Sequence, residues 1–349
     1  MATTTLAIVA FAAGLDLLIG EPRTSLHPVA WFGRVVAAVD RDRSVGARAE
    51  RALGVLVALA LPLAAASLVA TLVVAAGRVH FAAPAVLAGV VLFLTTSLRS
   101  LLELASEVVE LTETDTEAAR ESVRGLVGRD PTALSPAELR SAAVESAAEN
   151  LSDGFVATLV PFVLLAPLSL PAAAAAATWV KAVNTLDSML GYPDVPFGTA
   201  SARLDDAVMW APARLTALLL AVAAGRPRAL SAARRWAGEP SSPNSGWPMA
   251  ALAVLLDRRF EKPGRYVLNP DAALPSVADG ERAVTLVGLG AVLAVLVAAV
   301  GAILVDLTLE ALRPDGAFAA TVLGLATAAA PTRTADPDAT DPHPGVGRR

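Results

Sequence analysis

Apolar runs alternate with polar, arginine-bearing stretches along most of the chain. Residues 53–76, 84–102 and 284–305 are each apolar for about the ~20 residues that a helix needs to cross hydrocarbon. Residues 5–19 are equally apolar but short, with Asp16 near their end, and Gly20-Glu21-Pro22 breaks the helix behind them. No basic stretch precedes this first run, so it reads as a retained segment and not as a cleaved signal. Residues 317–330, short and alanine-rich, are the expected return after 284–305. The pattern predicts an all-α, polytopic integral membrane protein with about five full spans plus broken or re-entrant helices. Residues 1–330 form a single membrane-embedded domain in this reading, and the Pro/Asp/Thr-rich tail 331–349 is expected to be disordered.

Charge sets the expected orientation. Arg34, Arg41, Arg43, Arg48 and Arg51 crowd one polar loop, and Arg226, Arg228, Arg234, Arg235, Arg258, Arg259, Lys262 and Arg265 another. Basic loops favour the cytoplasmic side. Keeping both inside, together with the polar segments near 103–154 and 181–206, requires 155–180 and 207–224 to dip without crossing. The acidic positions Glu103, Glu107, Glu110, Glu113 and Glu117 fall at near-helical spacing and read as a solvated helix face.

The segment from Glu145 to Asp206 concentrates the candidate chemistry. Ser135-Pro136-Ala137-Glu138 has capping-box form, with proline at the first helical position. On the helix that follows, Glu145, Glu149 and Asp153 lie within an arc of roughly 80° at ~100° per residue. Such a stripe is either solvated or shares cations, and a Mg²⁺ held by carboxylates beside a phosphate ligand is the alternative to solvation. An apolar run from Phe155 to Val180 separates the stripe from Lys181, Asn184, Asp187 and Ser188. Straight, it would span roughly 39 Å at ~1.5 Å per residue. Pro161, Pro167 and Pro171 argue against a straight rod, because each lacks a backbone donor. The expectation is a bent segment that returns Lys181 to the side of Glu149. A lysine at membrane depth is either snorkelling to the interface or holding a phosphate. Arg203 either pairs with Asp205 or Asp206 or holds a ligand anion. His27 and Trp247 each have an interfacial reading beside a substrate-contact one.

Composition narrows the classes. The 349 residues are 55% hydrophobic and 17% charged, with a mean hydropathy of +0.57, against about 25% charged in ordinary soluble domains. Cysteine is absent, which removes disulfides and thiolate chemistry, and three histidines make a His-rich zinc site improbable. A net charge of −5 leaves no nucleic-acid footprint. Lys181 and Lys262 are the only lysines in an arginine-rich chain. No Walker-A loop is present, so any nucleotide site is not a P-loop.

Five motifs, in order, resemble those of the CobD/CbiB family: Asp16…Gly20-Glu-Pro…His27-Pro-Val, Glu145-Ser…Ala148-Glu-Asn-Leu-Ser-Asp-Gly154, Lys181-Ala-Val-Asn-Thr-Leu-Asp-Ser188, Ser201-Ala-Arg-Leu-Asp-Asp206 and Ser242-Pro-Asn-Ser-Gly-Trp-Pro-Met-Ala250. The resemblance covers roughly residues 14–285. It departs from the family pattern at the short Gly191–Thr199 loop and at Thr199, where an aromatic is usual. It implies a membrane-bound adenosylcobinamide-phosphate synthase of cobalamin biosynthesis, at the plasma membrane with its site facing the cytoplasm. The implied reaction is ATP-dependent amide ligation of adenosylcobyric acid with (R)-1-amino-2-propanol O-2-phosphate, with Mg²⁺ as cofactor and ATP as co-substrate. Set beside the charge and spacing, this assigns Glu145, Glu149 and Asp153 to Mg²⁺ or amine handling and Lys181 and Arg203 to phosphates. Asn150, Asn184, Asp187, Ser188, Asp205, Asp206 and Asn244 would orient ligands, and His27 and Trp247 would contact the corrinoid. Other cobalamin-assembly enzymes and membrane lipid are the further partners implied. The main rival is a non-catalytic membrane scaffold for those enzymes; a transporter and a Mg²⁺-dependent prenyl-type transferase are others.

Overall fold

One helix touches much of the rest. In the computed structural model, which describes residues 1–41, 46–128, 130–192 and 194–312, helix α9 (Leu170–Leu190) packs against α2, α3, α4, α8 and α10. In chain order the elements are α1 (Ala2–Leu18), α2 (Pro28–Val39), α3 (Ala47–Ala76), α4 (Ala83–Thr95), α5 (Leu98–Thr114), α6 (Thr116–Val123) and α7 (Pro136–Asn150). A π-helical turn at Leu151–Val156 joins α7 to α8 (Ala157–Leu165), and α9 returns alongside. There follow α10 (Thr199–Val208), α11 (Trp210–Ala223), α12 (Ala229–Ala233), α13 (Gly246–Leu256), an antiparallel hairpin of β1 (Phe260–Lys262) with β2 (Tyr266–Leu268), and α14 (Val277–Ala311). The chain divides into two units, Met1–Val305 and Asp306–Arg349. The expected return at 317–330, the tail and Arg43 lie outside the described residues.

The residue types explain the packing. The buried stripe of α3, Gly54, Ala58, Pro62 and Ala66, recurs every fourth residue and is small throughout. Opposite it, α9 buries Ala173, Ala174 and Ala177. Small faces let helices approach closely where lipid supplies no hydrophobic drive. Gly54 itself faces the segment between α9 and α10, where a Cβ would sit 2.2 Å from the Phe197 carbonyl oxygen. Large apolar side chains turn outward instead: Leu56, Leu59, Leu63, Leu68 and Leu72 on α3, and Val292, Leu296, Val300 and Leu304 on α14 are all exposed. Apolar belts of that extent suit hydrocarbon and not water.

Among the described residues, four helical stretches are long and apolar enough to cross a membrane: Ala47–Ala76, Ala83–Thr114, Pro136–Leu165 and Val277–Ala311. The α10–α11 pair, bent by 45°, would make a fifth. The all-α polytopic class therefore holds, but the spans are apportioned differently from the sequence reading. The stretch 136–154 was read as polar. It instead continues into α8 as one apolar stretch, and its residues Ser141–Ala148 are buried on every side, small enough for neighbouring helices to close around them. Helix α1, at 17 residues, is among the shorter apolar helices.

The expected fold-back is present. Pro161 sits inside α8 without ending it, Pro167 falls in the turn, and Pro171 lies in the first turn of α9, where its missing donor is harmless. Ser169 caps α9 by accepting from the Ala172 N–H at 3.4 Å. The capping box at α7 also forms: Glu138 accepts from the Ser135 N–H at 2.7 Å, and Ser135 Oγ accepts from the Glu138 N–H at 3.4 Å.

Candidate functional site

The site lies where α7, the π-helical turn, α9 and α10 meet. In a regular helix Asp153 would stack one turn beyond Glu149. The wider i→i+5 turn at Leu151–Val156 swings it off that line. Asp153 there interacts electrostatically with Glu149, with Asp205 on α10 and with Lys181 on α9. Lys181 in turn feels Glu21 as well as Asp153. Asp205 feels Asp187, Asp206 and Glu149, and the Asn184 amide bonds its carboxylate. Four sequence-distant segments thus converge on one polar region: the loop bearing Glu21 and His27, the Glu149–Asp153 turn, the Lys181–Asp187 face of α9 and the Asp205–Asp206 pair.

Negative charge exceeds positive there, and it is imperfectly satisfied. Asp187 Oδ1 and Asp205 Oδ1 are buried without a hydrogen-bond partner, as is Ser201 Oγ on the same helix as Asp205. A buried unpaired carboxylate oxygen is costly unless a cation or proton occupies its lone pairs. Gly191 makes the Asp187 position possible: a Cβ on residue 191 would fall 1.7 Å from Asp187 Oδ1.

Other expected residues are placed otherwise. Glu145 is buried, but both oxygens are taken: Ser141 Oγ donates to Oε1 at 2.6 Å and the Tyr266 hydroxyl to Oε2 at 2.7 Å. Among the described residues no three Asp, Glu or His groups stand close enough to hold a metal. The expected Glu145–Glu149–Asp153 metal triad is therefore not formed, since Tyr266 claims one member and the π turn redirects another. Mg²⁺ does not need such a triad, because it is commonly held by one or two carboxylates with substrate phosphates and water completing its shell. The unpartnered oxygens of Asp187 and Asp205 suit that arrangement.

Asn150 is exposed and its amide turns back to Ser146, donating to the backbone oxygen at 3.0 Å and to Oγ at 3.2 Å. Ser188 is exposed and donates to the Asn184 carbonyl at 2.9 Å. Arg203 is exposed, with neither Asp205 nor Asp206 at ion-pairing distance. Asn244 is a brace: its Nδ2 donates to the Asp206 carbonyl at 2.7 Å and its Oδ1 accepts from Arg214. The Arg214 guanidinium lies between two indoles, 5.0 Å from the Trp210 ring centre and 5.2 Å from that of Trp247. Asp206 takes a hydrogen bond from the Ser242 side chain.

His27 caps α2, its Nδ1 accepting from the Val29 N–H at 3.2 Å. Burial lowers its pKa from the usual 6.5; Glu21 opposes that shift and Lys181 adds to it. Asp16, the first residue of the first family motif, caps a neighbouring helix, its Oδ2 accepting from the Arg99 N–H near the start of α5 at 3.0 Å. Sequence reasoning missed the Lys262–Tyr266 hairpin; the scarcity of lysine was its only signal.

The chain matches the family model described as CobD/Cbib protein over residues 9–287. It is 36% identical over 306 residues to the probable cobalamin biosynthesis protein CobD of Methanothrix thermoacetophila, covering 84% of this chain and 95% of the relative. Identity is 38% over 302 residues to the cobalamin biosynthesis protein CobD of Rhodobacter capsulatus, covering 80% and 92%. It is 38% over 285 residues to the protein of the same name from Geobacter metallireducens, covering 78% and 86%. No solved structure matches the chain.

Proposed function

This chain belongs to the CobD/CbiB family of cobalamin biosynthesis proteins, and from that premise we propose that it is an ATP-dependent ligase. It joins a propionate carboxyl of adenosylcobyric acid to the amine of (R)-1-amino-2-propanol O-2-phosphate, giving adenosylcobinamide phosphate. Its site faces the cytoplasm from the cell membrane, the side favoured by the arginine-rich loops.

The observation that carries the reading is the convergence of Lys181 with Glu149, Asp153, Asp187 and Asp205 at the open end of the α8–α9 hairpin. A carboxylate is a poor acyl donor because oxide is a poor leaving group. The corrinoid carboxylate oxygen attacks the γ-phosphorus of ATP; the bond from that phosphorus to the bridging oxygen breaks and ADP leaves. The amine nitrogen then attacks the acyl carbon of the resulting acyl phosphate. A C–N bond forms, the C–O bond to phosphate breaks, and inorganic phosphate departs.

Lys181 offsets the charge on the transferring phosphoryl group. Glu149 and Asp153 hold the ammonium and take the proton that nitrogen must lose. Asp187 and Asp205 would hold Mg²⁺ through their free oxygens. When bound, that ion neutralises phosphate charge and orients the phosphates for in-line transfer. Asn184 keeps the Asp205 carboxylate in place. Glu145 positions the hairpin and does not reach the chemistry, since Ser141 and Tyr266 occupy it.

The test is turnover by the detergent-purified protein with adenosylcobyric acid, aminopropanol phosphate and Mg-ATP, read by mass spectrometry of the corrinoid. Adenosylcobinamide phosphate formed together with ADP is the expected outcome. Product without ATP would overturn the acyl-phosphate route. A folded protein giving no product would favour the scaffold.

A further inference from the structure

Lys262, one of two lysines in the chain, is not used by the scheme above. It ends β1, directly across from Tyr266 on β2. The hairpin is fastened to α7 at two points. Ser141 Oγ accepts from the Glu261 N–H at 2.9 Å, and Glu145 accepts from the Tyr266 hydroxyl. These bonds hold Lys262 over a polar cavity of about 110 Å³ lined by Glu145, Ser146, Glu149, Met249 and Tyr266. Glu149 feels the Lys262 charge, yet among the described residues no carboxylate lies within 4.0 Å of its ammonium. A half-buried lysine that pairs with nothing is often only solvated. Here a three-residue strand, two interlocked hydrogen bonds and a buried glutamate fix its place at a cavity that also borders Glu149.

The occupant is constrained by size and by charge. At ~30 Å³, the share of one water in the liquid, the cavity has room for about four waters. That is the bulk of a small phosphomonoester and far short of a nucleotide or a corrin ring. One wall offers the Lys262 ammonium and the other the Glu149 carboxylate, while the Tyr266 phenol is engaged with Glu145. A ligand carrying only phosphate would meet Glu149 unfavourably, and one carrying only an amine would meet Lys262 unfavourably. A short zwitterion, with a phosphomonoester at one end and a primary ammonium at the other, satisfies both.

We propose that the Lys262–Tyr266–Glu149 cavity is the subsite for the amino-alcohol phosphate, with phosphate on Lys262 and ammonium on Glu149. The inference rests on the ligase reading and deepens it. Glu149 belongs to both regions: it lines this cavity and it interacts with Asp153 and Asp205. An amine held there points toward the place where Lys181 would hold the phosphorylated acyl group, so the subsite also sets the direction of attack.

Calorimetric binding to the detergent-purified full chain, without ATP or corrinoid, tests the subsite. The probes are 1-amino-2-propanol O-2-phosphate, 1-amino-2-propanol and inorganic phosphate. Wild type should bind the first at least tenfold more tightly than either of the others. Lys262→Gln should weaken that binding by roughly 10–100-fold, the loss of a charged contact to phosphate. Lys262→Arg should restore most of it, and the KM for ATP should stay within about twofold of wild type. Equal affinity in wild type and Lys262→Gln would overturn the subsite, as would a variant that loses ATP and amino-alcohol phosphate alike. Tight inorganic phosphate binding unaffected by Glu149→Gln would overturn the zwitterion assignment. Binding through Lys262 in a protein that never ligates would leave the subsite standing and sink the ligase reading; ligation with a KM indifferent to Lys262 would do the reverse.

Discussion

Lys181 and Asp153 interact across the mouth of the α8–α9 hairpin. From Asp153 to Leu165 is about 18 Å of helix, and from Leu170 back to Lys181 about 17 Å, at ~1.5 Å per residue. The arms match, so the turn at 166–169 brings acid and lysine level. Replacing Lys181 with alanine should lower kcat by about 10²–10³, the usual loss when one group that stabilises developing charge is removed. Lys181→Arg should retain part of the rate. Steady-state kinetics with saturating substrates decide this, and a Lys181→Ala protein with wild-type kcat would remove the lysine from the chemistry.

Deleting one alanine from the Ala172–Ala177 run is a sharper probe of the same geometry. It would turn Lys181 by ~100° about α9 while keeping every polar side chain. Activity should be lost as completely as in Lys181→Ala, and a second deletion should not restore it. Restored turnover after either deletion would show that the facing of the two arms is immaterial.

How far the sequence disclosed this arrangement varied with the range of the interaction. The start of α7 was legible because Ser135 and Glu138 satisfy each other three residues apart. The hairpin was legible because prolines 167 and 171 mark a turn and a first helical turn, both local requirements. The π turn at Leu151–Val156 was not, because Leu-Ser-Asp-Gly-Phe-Val fits a regular helix equally well. It is packing against α11 and α8 that accompanies the wider geometry. Glu145 departs from its expected metal role for a related reason: its Oε2 is taken by Tyr266, far along the chain in a hairpin hidden within a charged loop. Asn244 likewise depends on Arg214, thirty positions away, which no local pattern announces.

Asp187 and Asp205 set function against stability. Each buries an oxygen without a donor, and each feels the other's charge. Asp205→Asn should raise the thermal unfolding temperature by a few degrees in the absence of substrates, since it removes like-charge repulsion from a buried cluster. It should also reduce turnover by at least tenfold and raise the Mg²⁺ concentration needed for half-maximal rate. Gly191→Ala should shift the Mg²⁺ requirement in the same direction, because the added methyl group displaces Asp187 Oδ1. Differential scanning fluorimetry and Mg²⁺ titrations read both. A less stable Asp205→Asn protein with an unchanged Mg²⁺ requirement would assign the carboxylate to folding instead.

His27 gives the fold a dependence on pH. Its Nδ1 accepts from the Val29 N–H, which requires an unprotonated nitrogen, and burial lowers its pKa below 6.5. A depressed folded-state pKa means stability that is present above the unfolded value near ~6.5 and is lost as pH falls through the folded value. The unfolding temperature should therefore decline below about pH 6.5. Asn is a good N-cap that does not titrate, so His27→Asn should flatten that decline. An identical pH profile in both proteins would assign the decline to the carboxylates.

Asn244 separates bracing from substrate contact. Its amide joins the Asp206 carbonyl on α10 to the Arg214 guanidinium on α11, with Trp210 and Trp247 on either side of that guanidinium. Truncation to alanine strands a carbonyl and one arm of a cation, each of which costs about 1–3 kcal/mol when left unsatisfied. Asn244→Ala should therefore lower the unfolding temperature and reduce kcat only through misplacement of Asp205 and Asp206. Substrates bound near those residues should partly restore the temperature, because ligands that bind only the folded state stabilise it by mass action. If the side chain instead touches the corrinoid, the KM for adenosylcobyric acid would rise while the unfolding temperature of the unliganded protein stayed at the wild-type value. Measuring both quantities on one preparation decides between the two roles, since bracing moves the temperature and contact moves the KM.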